Sequence, residues 1–151
     1  MIGTDAKKSV ISTLGAVLLV VTGLFCLPPA AQSADQQTKH RVVLQVSDDN
    51  PKTWNQALNV IENLQQAYGK QNVDVELVAF GFGLGILKLE SVAGSRVQDA
   101  VASGAQIRAC EVTMRRQKLT KADMLPNIGY VPAGVVEIIA KQGQGWSVIR
   151  P

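Results

Sequence analysis

From Arg41 onward, short runs of β-branched and apolar residues alternate with segments in which apolar residues recur at helical spacing. That alternation constrains the fold more than any other feature, because strands separated by helices close into a parallel sheet covered on both faces. Arg41-Val42-Val43-Leu44-Gln45-Val46-Ser47 reads as the first strand. Asn50 and Pro51 then supply an N-cap and a first helical position, and Ala57, Leu58, Ile61, Leu64 and Tyr68 recur on one face until Gly69. Val73, Val75 and Leu77 alternate with Asp74 and Glu76 before Val78-Ala79-Phe80 runs on into Gly81, a second strand better buried at its C-terminal end.

Gly81-Phe82-Gly83-Leu84-Gly85 reads as a glycine-rich turn, and the type of Ile86-Leu87-Lys88-Leu89 stays open. Ser95 and Gln98 form a capping-box pattern at the start of a helix carrying Val97, Ala100 and Val101 and ending at Gly104. Gln106 to Cys110 is the third strand. Thr120 to Asp123 starts another helical turn before Pro126, and Ile128 to Val131 is a fourth strand that Pro132 ends. Val135, Val136, Ile138 and Ile139 are ambiguous. Their β-branching favours a strand, whereas positions 135, 138, 139 and 142 share one helical face, and the residues alone lean to strand. Gly143 and Gly145 break the chain before a last strand, Trp146-Ser147-Val148-Ile149.

Upstream of this pattern, Lys7 and Lys8 precede an uncharged stretch from Ser9 to Leu27 and then Pro28-Pro29-Ala30-Ala31-Gln32-Ser33-Ala34. Positive, apolar, then small is the order of a secretory signal. Residues 1–34 are therefore expected to be an export signal cleaved near Ser33, residues 35–40 a polar, disordered linker, and residues 41–151 one domain, which implies a periplasmic or secreted location. An uncleaved segment would instead anchor the protein to the membrane, since its apolar run of about eighteen residues is near the minimum for a span. Phe25 before Cys26 argues against a lipid-modified cysteine. Cleavage leaves Cys110 as the only cysteine, so no disulfide forms inside the mature chain.

Charge and histidine content exclude several functions. A formal charge of +3 that includes Lys7 and Lys8 is too slight for nucleic acid, and Arg115, Arg116, Lys118 and Lys121 read as a solvated face. His40 is the only histidine and lies before the first strand, so zinc sites and histidine-based triads are not expected, nor is any metal or cofactor. Trp54 and Trp146 read as core or subunit-interface residues, and their apolar area argues for self-association.

In open α/β sheets the carboxyl ends of the strands hold the ligands. Three groups fall there: Ser47, Asp48 and Asp49 after the first strand, Gly81, Phe82 and Gly83 after the second, and Cys110 with Glu111 after the third. A helix starting beyond Cys110 would support a thiolate, Glu111 would oppose it, and Arg108 would offset Glu111 if it shares the face. The plain alternative for Cys110 is a small buried residue filling the sheet edge. The glycines lack the second half of a dinucleotide fingerprint, and Asp48 and Asp49 read as helix-capping residues more readily than as paired acids.

Taken in order, Ser47-Asp48-Asp49-Asn50-Pro51 with Trp54-Asn55-Gln56-Ala57-Leu58, Gly81-Phe82-Gly83, Ala109-Cys110 with Thr113-Met114, and Pro132-Ala133-Gly134-Val135-Val136-Glu137-Ile138-Ile139 with Gly145-Trp146 resemble the DsrE/DsrF-like family across Arg41 to Pro151. The resemblance implies a three-layer α/β/α sandwich around a five-stranded parallel sheet, and a helix over Val135 to Gln142. It also implies a homo-oligomer, a trimer or hexamer. The family's sulfur-relay members carry sulfur as a persulfide on a cysteine, which corresponds here to Cys110. Phe82 stands where the family's Gly-Pro-Gly block has proline, and Glu111-Val112 replaces smaller polar residues. The expected function is an exported sulfur carrier, more a carrier than a turnover enzyme, that passes sulfur from Cys110 to a partner protein's thiol. The alternative is a non-catalytic ligand-binding or assembly module in which Cys110 is structural.

Overall fold

The computed structural model describes residues 39–151, so the export segment and all but the end of the linker lie outside the described residues. Five strands form one fully parallel sheet: β1 (His40–Val46), β2 (Val73–Ala79), β3 (Gln106–Cys110), β4 (Gly129–Val131) and β5 (Ser147–Ile149), in the spatial order β4-β3-β2-β1-β5. Their connections carry α1 (Pro51–Tyr68), a 3-10 segment Gly81–Leu87, α2 (Gly94–Ala102), α3 (Glu111–Arg116), a 3-10 turn Lys121–Asp123, and α4 (Gly134–Gly143). The fold is the expected three-layer α/β/α sandwich.

The two faces of the sheet are unequal. Leu44, Val46, Leu77, Ala79, Ile107 and Ala109 point to the side covered by α1 and α2, where they form the larger core with Trp54, Leu58, Ile61 and Val97. Val43, Val78 and Val131 point to the other side, where Ile138 of α4 and Trp146 close a smaller core. Glu76, Arg108 and Cys110 lie on that second face, as the period of two along a strand requires.

Local chemistry explains most element ends. The Asn50 side chain accepts from the Lys52 amide and Pro51 opens α1, while Gly69 closes it at a φ of 83°. Asp48 and Asp49, expected to cap, do not; Asn50 alone supplies the cap. The Ser95–Gln98 capping box also fails to form, because α2 already starts at Gly94 and the Gln98 amide instead donates to the Pro126 carbonyl at 2.9 Å. A capping box does form between Thr120 and Asp123. His40 belongs to β1, with its ring stacked on Tyr68 at 3.9 Å.

The helix over 134–143 overturns the strand preference of the isolated residues and agrees with the resemblance. Packing decides it: Gly134 and Ile138 are buried against the sheet while Val135, Val136 and Ile139 face outward. Both tryptophans are buried within the protomer, Trp54 donating its indole N–H to the Asp48 carbonyl at 2.8 Å. The self-association argument built on them therefore loses its basis.

Candidate functional site

Cys110 ends β3 and caps α3, so its side chain stands where the third strand hands over to a helix. It lines a cavity of about 180 Å³ together with Phe80, Gly81, Thr113, Gly134 and Arg116. The residue is only 4% exposed, so a reagent reaches the sulfur through this cavity and not across an open surface. Arg116 is the charged member of the lining.

Two elements aim donors at the sulfur. Gly134, the first residue of α4, donates its amide to Sγ at 3.2 Å. Glycine fits closely there: a Cβ would stand 3.0 Å from the Phe80 Cβ and 3.2 Å from the Val78 side chain, so a larger residue would have to displace those side chains by a few tenths of an ångström. From α3 comes Thr113, whose hydroxyl also accepts from the Gly81 amide at 3.0 Å and so ties the glycine segment to the cysteine. Burial is the largest single influence on the thiol and opposes its ionisation. Hydrogen bonds from the Thr113 side chain and from the Gly134, Thr113 and Val112 amides together outweigh burial and hold the Cys110 thiol below its ordinary value of 9.0.

The two charged neighbours expected to tune the thiol are placed differently. Glu111 is the first residue of α3 and is not among the groups that move the Cys110 titration. Arg108 shares the sheet face with Cys110, but its guanidinium turns the other way, donating to Gln106 at 2.6 Å and lying 4.0 Å from Glu76.

The remaining expected residues divide. Gly81 joins the cavity. Phe82 is 77% exposed and outside the lining. Gly83 is a packing residue, since a Cβ there would collide with the Val46 carbonyl and bring the 3-10 segment off β1. Ser47 accepts from Gln45 at 3.4 Å, and Asp49 lines a separate groove with Trp54 and Lys88. Ser47, Asp48 and Asp49 thus form no common site with Cys110. The sequence reading missed Thr113 and Gly134 as sulfur ligands, although both fall inside the blocks that carry the resemblance. It also missed Glu76, because alternation along β2 suggests a solvated side chain where the structure buries one completely.

No protein-family model matches the chain, and no curated protein matches it. Solved structures do. A protein of unknown function from Methanobacterium thermoautotrophicum is 28% identical, with 74% of this chain and 99% of that one aligned at a TM-score of 0.71. A conserved protein of unknown function from Bacteroides thetaiotaomicron is 12% identical, with coverage of 77% and 98% and a TM-score of 0.64. The ychN protein from E. coli is 11% identical, with coverage of 75% and 99% and a TM-score of 0.59. At those identities the last two speak to fold alone. The fold of residues 39–151 is DsrEFH-like.

Proposed function

We propose that this chain is a sulfur carrier that holds a persulfide on Cys110. The observation that carries the reading is the donor set around Sγ: the Gly134 amide at 3.2 Å and the Thr113 hydroxyl, at the wall of a cavity large enough for a small sulfur compound. In the first step the Cys110 thiolate attacks the outer sulfur of a donor R–S–SH. The S–S bond of the donor breaks, the proton goes to the leaving thiol RSH, and Cys110 keeps the sulfur as Cys–S–S⁻. In the second step that persulfide, protonated, is attacked at its outer sulfur by a partner protein's thiolate, which takes the sulfur and returns Cys110 to the thiolate. Neither step changes the total of electrons, so no cofactor enters.

Mass spectrometry after exposure to a persulfide donor tests this. One added sulfur that survives gel filtration and is missing in Cys110→Ser supports the carrier. A second reading, a binding or assembly module with a structural Cys110, draws on the 4% exposure of the residue. A native thiol that gains no sulfur and resists a small alkylating reagent moves the conclusion to that reading.

An extracytoplasmic location, read from the Lys7 to Ala34 segment, belongs to the same proposal, and N-terminal sequencing of the protein from its native envelope tests it. Among the described residues no helix is long and apolar enough to cross a membrane. Assembly of several copies is also proposed, and the exposed Val135, Val136 and Ile139 on α4 support it. A single monomeric species by light scattering at micromolar concentration ends that part.

A further inference from the structure

Glu76 stands in the middle of β2 with none of its surface exposed and with neither carboxylate oxygen in a hydrogen bond. A carboxylate in that position stays ionised only if a cation compensates it. The cation is Lys141 of α4, whose Nζ lies 2.7 Å from Oε2, with the Arg108 Nε more distant at 4.0 Å. The same ammonium lies 4.3 Å over the Trp146 ring and 3.6 Å from Glu137. Lys141 thus has three partners, and it is the last residue of α4 that is not fully exposed, since Gln142 and Gly143 face outward.

At the other end of α4 is Gly134, which donates its amide to Cys110 Sγ. Between the two lies about 10 Å of helix, with Ile138 the buried residue in its middle. Glu76 and Cys110 share one sheet face, so both ends of α4 are tied to that face: one at the sulfur, the other at the buried carboxylate.

We propose that the Glu76–Lys141 ion pair is a positioning device for Cys110, fixing the far end of α4 so that the Gly134 amide stays on the sulfur. The proposal rests on Cys110 being the reactive thiol. A buried ion pair need not add net stability to act in this way, because what it fixes is geometry. The charged groups facing Glu76 are Lys141 from α4 and Arg108 from β3, and Glu137 of α4 shares the Lys141 ammonium at 3.6 Å. Arg116 at the cavity mouth belongs to the cysteine's own surroundings.

Direct electrostatics and positioning make opposite predictions for Glu76→Gln. Removing a carboxylate on the cysteine's side of the sheet makes the thiol easier to ionise if field alone matters. Loosening α4 withdraws the Gly134 donor and makes it harder. The test titrates the thiolate absorbance of the full chain, with Cys110→Ser as the blank, in Glu76→Gln, Lys141→Met and Lys141→Arg. Glu76→Gln and Lys141→Met raise the thiol midpoint and slow alkylation at neutral pH by roughly threefold or more, Lys141→Arg restores the parent behaviour, and the Gly134 amide proton shifts in the first two. An unchanged or lowered midpoint in Glu76→Gln overturns the proposal. If Lys141→Met fails to fold because it strands the Glu76 charge, Glu76→Gln, which strands no carboxylate, decides alone. Normal midpoint shifts in a protein that accepts no sulfur defeat the carrier and leave the positioning role. Sulfur uptake at the parent rate in Glu76→Gln does the reverse.

Discussion

The Thr113 hydroxyl accepts the Gly81 amide at 3.0 Å while also supporting the Cys110 sulfur, so one side chain couples the segment after β2 to the reactive end of β3. A hydroxyl has one donor and two acceptor sites, which is what this double duty requires. Thr113→Val keeps the shape and removes both bonds. It leaves the Gly81 amide without its partner, at a cost of about 1–2 kcal/mol, and raises the Cys110 thiol toward its ordinary value. Urea denaturation reads the first effect and thiolate absorbance the second. An unaltered thiol titration would show that the backbone amides alone support the sulfur.

The lowered thiol also fixes a pH dependence. Folded chain releases the Cys110 proton at lower pH than unfolded chain, so the stabilisation this contributes is complete above the unfolded value near 9.0 and is lost as pH falls through the folded value. The stability difference between the parent and Cys110→Ser therefore grows in the parent's favour as pH rises toward 9.0. Alkylation of the parent follows the same transition, with its midpoint below 9.0. A midpoint at or above that value contradicts the hydrogen-bond account.

Strand placement was legible because its signals are local: β3 ends at Cys110, and α1 runs from Pro51 to Tyr68 between Asn50 and Gly69, as the residues suggested. The helix α4 was not legible from Val135, Val136, Ile138 and Ile139, since their propensity points one way and the sheet they pack on decides the other. The resemblance supplied that answer. At the site, the sequence marked the sulfur and Gly81 but looked for its modulators among sequence neighbours. The donors that lower the thiol come from Val112 and Thr113 at the start of α3 and from Gly134, brought in by a separate helix. Charge partners across a sheet, such as Glu76 and Lys141, leave no trace in local spacing.

Two glycines test the packing account with opposite signs. A Cβ on Gly83 meets the backbone of Val46 and Ser47, which cannot step aside, whereas one on Gly143 meets nothing within 4 Å. Gly83→Ala is expected to destabilise by about 3 kcal/mol, as overpacking does when backbone must move. Gly143→Ala, in the last turn of α4, is expected to stabilise by about 0.5 kcal/mol through the unfolded chain. Thermal melts of the two variants beside the parent check both, and a tolerated Gly83→Ala would mean that the 3-10 segment is not fixed against β1.

The last expectation concerns how reagents enter. Arg116 is the charged residue at the wall of the cavity that Cys110 lines, and its own side chain is exposed, so on an anion that comes within about 4 Å it acts as a solvated charge. At that distance in water the interaction is on the order of 1 kcal/mol. Arg116→Ala should therefore slow an anionic disulfide reagent about threefold to fivefold and leave a neutral alkylating reagent unchanged, because the thiol itself keeps all its hydrogen-bond donors. Glu111→Ala serves as the matched comparison: the groups that lower the Cys110 thiol are Thr113, Gly134 and Val112, so the neutral reagent should react at the parent rate. Stopped-flow rates for both reagents, taken at low and at high salt, separate charge from shape, since a solvated charge effect fades with added salt. Equal slowing of the neutral and anionic reagents in Arg116→Ala would mean that the side chain shapes the entrance, and an acceleration in Glu111→Ala would return the neighbouring carboxylate to the account of the thiol.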